Sequence, residues 1–133
     1  MSMLFLKLPV RDLGAARAFY TSLGFRVEEH SSDESEVALV VDDNIVLTLL
    51  TRDRFAELMT GEATDPGRGP TVLPCLTVER RPEVDDLVAR ASAAGGKPWV
   101  PARENDATYT GSFTDPDGHV WQVMWMDQQH VVN

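Results

Sequence analysis

The sequence predicts an α+β fold of two β-α-β-β-β modules forming a curved mixed sheet. Three observations lead there: apolar residues alternate in strand-like runs, two amphipathic stretches carry helix caps, and the order of elements begins again near residue 71. At 133 residues the chain makes one domain, 1–133, with module one at about 3–60, a linker at about 61–70 and module two at about 71–126.

Between Met3 and Val10, the residues Leu4, Leu6, Leu8 and Val10 alternate with Met3, Phe5, Lys7 and Pro9. That is the period of a strand with one face in a core, and Pro9 marks its end or a sheet edge. Asp12 stands at an N-cap position, Leu13, Ala16, Phe19, Tyr20 and Leu23 follow at helical spacing, and Gly24 closes the stretch. Strands are expected at Phe25–Glu29, Glu36–Val41 and Asn44–Leu50, separated by the polar run His30–Ser35 and the turn Asp42-Asp43-Asn44. A short helix is expected over Thr51–Thr60.

The stretch Gly61–Pro70 holds three glycines and two prolines and reads as the linker. Beyond it the pattern predicts a strand at Thr71–Val78, a helix at Pro82–Ala94 opened by proline and closed by Gly95-Gly96, and a strand at Lys97–Val100. The strands Tyr109–Thr114 and His119–Met126 then form a hairpin about Asp115-Pro116-Asp117-Gly118.

Neither module can bury both a sheet face and a helix alone, so the two are expected to pair and leave a cleft. Strand alternation assigns Phe5, Lys7, Leu73, Cys75, Thr77, Gln122 and Met124 to the face opposite the helices. Trp121 and Trp125 fall on the other face, against a helix or a subunit interface.

Charge and cysteine content narrow the function classes. Twenty-one acids against twelve Lys and Arg give a net charge of −9, which repels phosphates and excludes nucleic acid as a partner. Five of the acids fall between Glu28 and Glu36, a solvated loop that also suits a cationic ligand. Cys75 is the only cysteine, so neither an internal disulfide nor a thiolate zinc cluster forms, and the cytoplasm is the expected compartment. No apolar run approaches the roughly 20 residues that span a bilayer, so no membrane association is expected.

Two motifs carry a resemblance. Leu8-Pro9-Val10-Arg11-Asp12-Leu13, with Ala18-Phe19-Tyr20 and Leu23-Gly24-Phe25, is similar to the opening of the vicinal oxygen chelate superfamily, and Thr114-Asp115-Pro116-Asp117-Gly118-His119 is similar to its closing hairpin. That superfamily includes glyoxalase I, the bleomycin and fosfomycin resistance proteins and extradiol dioxygenases. The ending Asp117–Asp127 most resembles uncharacterised bacterial members labelled predicted lactoylglutathione lyases.

In metal-dependent members, four strands each aim a ligand, usually His or Glu, at a divalent ion that polarises two substrate oxygens. By the resemblance those positions fall on Phe5, on or beside Thr48, on Leu73 and on Gln122. Only Gln122 offers even a neutral oxygen, so no metal or other cofactor is expected. The resemblance also implies a homodimer, with the apolar strand ends and Trp125 as interface candidates.

The remaining candidates are weaker. His30, His119 and His130 lie outside the expected cleft, and Lys7 either neutralises an anionic ligand or carries its charge to the rim. Cys75 reads as a small buried hydrophobe, and Arg103 to Asp106 as a solvated loop. There is no Gly-rich phosphate loop and no linked Ser, His and acid. The expectation is therefore a metal-free protein that binds a small, partly apolar molecule in a cleft lined by Phe5, Lys7, Thr48, Leu73, Cys75, Gln122 and Met124. The alternative is a metal-dependent lyase or isomerase of the lactoylglutathione lyase type with displaced ligands such as His30, His119 or Glu104.

Overall fold

The computed structural model describes residues 2–59 and 72–127. The expected linker 61–70, the end residues Thr60 and Thr71 of two expected elements, and His130 lie outside the described residues. The chain divides into two compact units, residues 1–65 and 66–133. Each contains a mixed sheet, and no described helix is long and apolar enough to cross a membrane.

In the first unit the order is β1 (Leu4–Val10), α1 (Leu13–Ser22), β2 (Arg26–Glu28), a 3-10 turn (Glu29–Ser31), β3 (Glu36–Asp42), β4 (Ile45–Thr51) and α2 (Arg52–Ala56). The sheet runs β1-β4-β3-β2, with β1 parallel to β4 and the other pairs antiparallel. Pro9 therefore sits on an edge strand, where its missing N–H costs no ladder bond. Asp12 caps α1 by accepting from the Ala15 N–H at 3.0 Å, and Gly24, at φ 102°, makes the left-handed turn out of the helix.

Ala16, Phe19 and Tyr20 of α1 are buried with Leu39, Leu47 and Leu49 of β3 and β4. Each large apolar side chain taken from water in this way contributes about 1.5–3 kcal/mol. The acidic run is a tied loop rather than a merely solvated one. The Asp33 carboxylate accepts from the Ser35 N–H, the Ser35 hydroxyl and the Glu36 N–H, which holds its pKa below the usual carboxylate value.

The helix expected over Thr51–Thr60 is shorter than predicted. After Ala56 the bonds from Leu58 N to Phe55 O and from Met59 N to Ala56 O tighten the chain, and Leu58 and Met59 stay exposed.

The second unit contains β5 (Cys75–Val78), α3 (Pro82–Ala93), β6 (Lys97–Pro98), β7 (Arg103–Glu104), β8 (Thr108–Thr114) and β9 (Val120–Met126). Its sheet runs β5-β9-β8-β6, the same order as in the first unit, and β7 also pairs with β8. The strand expected from Thr71 begins only at Cys75. Pro74 lacks an N–H and marks the entry, while its carbonyl accepts from Gln122 N at 2.8 Å.

Gly111 of β8 lies beneath α3, and a Cβ there would stand 3.0 Å from Val84 Cγ1 and 3.1 Å from Val88 Cγ2. The β8–β9 turn is built on Asp115, which is buried and accepts through its carboxylate from the Asp117 and His119 N–H groups. Gly118 there adopts φ 94°, a conformation that suits glycine.

Candidate functional site

Register decides which side chains share a face. In the first sheet Phe5 pairs with Val46 and Lys7 with Thr48, while Thr48 and Val46 face Ala38 and Val40 across β3. These residues lie on the face turned away from the Leu39, Leu47 and Leu49 row. Phe5 is 52% exposed, Lys7 is exposed, and Thr48 is 4% exposed.

In the second sheet Cys75 pairs with Gln122, and Gln122 with Ser112; Thr77 pairs with Met124, and Met124 with Thr110. Because Gly111 faces α3, this set lies on the side away from that helix. Trp121 and Trp125 fall on the helix side, opposite Gln122. The Ser112 hydroxyl is already engaged, accepting from Val100 N at 3.1 Å, so Gln122, Thr77 and Thr110 carry the polar groups around Met124 on this face.

Two expectations change here. Leu73 precedes β5, so strand register no longer assigns it to the face with Cys75. Cys75 is exposed, not buried, because Pro74 delays the strand and β5 is an edge. Partial desolvation of its sulfur still pushes the thiol pKa up, which leaves it a poor nucleophile.

The residues do not fit a divalent ion. A phenyl ring, a hydroxyl, an aliphatic chain and a neutral amide at Phe5, Thr48, Leu73 and Gln122 supply no anionic or imidazole donor. Among the described residues no group of three or more His, Cys, Asp or Glu is gathered where a metal could be held. The displaced ligands do not converge within the second unit either. Glu104 pairs with Tyr109 at one end of β8, whereas His119 follows Thr114 at the other, about 17 Å along the strand. His30 belongs to the 3-10 turn of the first unit.

One polar cluster escaped the sequence reading. The Arg81 guanidinium lies 4.3 Å from the Tyr109 ring centre and holds both Glu104 carboxylate oxygens, at 3.3 and 2.8 Å. Tyr109 donates its hydroxyl to Asp85 at 2.8 Å. The expected solvated loop at Arg103 and Glu104 is thus a short strand clamped to α3 and β8. These partners lie 23 and 24 residues apart in sequence, with no local spacing to betray them.

A family model for the Glyoxalase/Bleomycin resistance protein/Dioxygenase superfamily matches residues 2–123. Among solved structures, a hypothetical protein from S. aureus is 26% identical, with a TM-score of 0.79, covering 94% of this chain and 93% of that one. A glyoxalase/bleomycin resistance protein/dioxygenase family enzyme from Burkholderia phytofirmans is 23% identical, with a TM-score of 0.80 and coverage of 95% and 99%. A fosfomycin resistance protein from Listeria monocytogenes, solved with Mn(II) and a dihydroxypropylphosphonic acid, is 15% identical, with a TM-score of 0.71 and coverage of 98% and 96%. No curated protein matches the chain. The repeated strand order and a family match that runs through both units make this chain a member of the Glyoxalase/Bleomycin resistance protein/Dioxygenase superfamily.

Proposed function

We propose that this chain is a binding member of its superfamily, working without a divalent metal and holding a small, partly apolar molecule by the sheet faces turned away from α1 and α3. Capture, sequestration or sensing is then its work. The observation that carries this reading is the donor set: by the resemblance the ligand positions of metal-dependent members fall on Phe5, on or beside Thr48, on Leu73 and on Gln122, none of which carries an anionic or imidazole donor. The contact residues are Phe5, Lys7, Thr48, Cys75, Gln122 and Met124, with Leu73 contributing from the segment before β5. A cytoplasmic homodimer is part of the proposal. The lone thiol supports the compartment, and exposed Leu4 and Phe5 on the edge strand β1 support self-association.

The experiment is native mass spectrometry of freshly purified protein, which reports subunit number, metal and any co-purified molecule together. A metal-free dimer carrying an organic adduct is the expected result. Stoichiometric nickel, zinc or iron would overturn the donor argument and favour a lyase or isomerase of the lactoylglutathione lyase type. A monomer would remove the dimer alone.

A further inference from the structure

We infer that the first sheet's face turned away from α1 takes an organic anion, a carboxylate on an apolar body, with Lys7 as its charge contact. The inference rests on the binding reading above and narrows it to a ligand class. It opposes the cationic ligand that the net charge of −9 suggests, because what is adjacent to the ligand outweighs what is distant.

Arg17–Glu29, Arg54–Glu57, Arg80–Glu83 and Arg81–Glu104 form ion pairs, and each cation in these is an arginine. Lys7 enters none of them. Its register partner Thr48 is 4% exposed, and among the described residues its hydroxyl makes no hydrogen bond. Two donors thus lie on adjacent strands, about 4.8 Å apart at the backbone, with no acceptor committed to either.

Among the described residues of the first sheet, two carboxylates share that face with Lys7. The row Lys7, Thr48, Ala38, Glu28 places Glu28 three strands away, about 14 Å, and the next row, Pro9, Leu50, Glu36, places Glu36 two strands across and two residues along, about 12 Å, both beyond the screening length of about 8 Å at physiological salt. Phe5, two residues before Lys7 and 52% exposed, supplies an aromatic surface for the apolar body. A carboxylate accepts from Lys7 and Thr48 together, whereas an amine would meet a like charge at Lys7.

The test is an NMR amide titration of the full chain with three matched probes, phenylacetate, phenylacetamide and phenethylamine. Phenylacetate is expected to shift the Phe5, Lys7 and Thr48 amides saturably and to bind about tenfold more tightly than phenylacetamide. Lys7→Gln should erase that tenfold preference, Lys7→Arg should restore most of it, and Lys97→Gln, which removes the same charge in the other unit, should leave it intact. Lys7 is exposed, so its variants should keep the dispersed spectrum of the folded chain. Equal binding of phenylacetate and phenylacetamide, or an unchanged preference in Lys7→Gln, overturns the anion assignment and leaves the binding reading standing. Preference for phenethylamine overturns it in favour of a cation. Silence of these amides toward all three probes overturns the assignment too, and the co-purified adduct then judges the binding reading separately.

Discussion

Gly111 shows how a single residue sets a packing distance. Its missing side chain lets α3 approach β8 until Val84 and Val88 fill the space a Cβ would need. Val84 is fully buried and has nowhere to retreat, so Gly111→Ala is expected to destabilise the fold by about 1–3 kcal/mol in urea unfolding. Adding Val84→Ala should recover part of that loss, because the two substitutions share one contact. An unchanged midpoint for the single variant would show that the helix moves aside freely. The glycine was visible in the strand pattern, but the helix above it was not, since Val84 and Gly111 come together only in the folded unit.

At the scale of elements, the clamp between α3, β7 and β8 makes the clearest statement. Arg81 joins Glu104 and covers the Tyr109 ring, and the Tyr109 hydroxyl donates to Asp85. That hydrogen bond to a carboxylate, the largest cause, pushes the Tyr109 pKa above its ordinary value, because ionisation would lose the bond and set two anions side by side. A pKa raised by folding adds stability that is fully present below the unfolded value of about 10 and is lost as pH rises through the folded value. Absorbance titration at alkaline pH should therefore show a phenol ionising later than free tyrosine, and this component should vanish in Tyr109→Phe. Early ionisation would mean the Asp85 contact does not persist in solution. The site lies near the surface, so the effect on overall stability is expected to be small.

Elements were also where the sequence was most and least legible. Strand alternation placed Phe5 and Lys7 on one face and Cys75, Gln122 and Met124 on another, because a period of two survives folding unchanged wherever the strand exists. The strand start near Leu73 shifted for the complementary reason. Apolar composition extended the strand to it, but Pro74 delays the sheet until Cys75. Arg103 and Glu104 were polar enough to read as loop, and their pairing with β8 depends on a partner far along the chain.

For the molecule as a whole, superfamily membership leaves the proposed metal-free binding to be tested. The chain shares the fold of relatives that include a protein solved with Mn(II), while among its own described residues no group of three or more His, Cys, Asp or Glu is gathered where a metal could be held. A ligand that binds only the folded state raises the melting temperature by mass action, so nickel, zinc or manganese at many times the protein concentration should leave the transition unmoved. A saturable upward shift with any one of them would identify a site assembled from other residues. This readout is independent of activity and of the identity of the organic ligand.

What the sequence determined by itself was the repeated β-α-β-β-β order, the caps at Asp12 and Gly24 and the face parity of the strands. Each of these is written in neighbouring residues and in the periods of helix and strand. Only the tertiary structure decided that Cys75 is exposed, that the Asp33 loop is tied, that Arg81 clamps Glu104 and that Lys7 stands apart from every carboxylate on its face. Burial and pairing depend on which distant residues are brought alongside, and long-range packing, unlike local periodicity, leaves no mark at a fixed spacing in the chain.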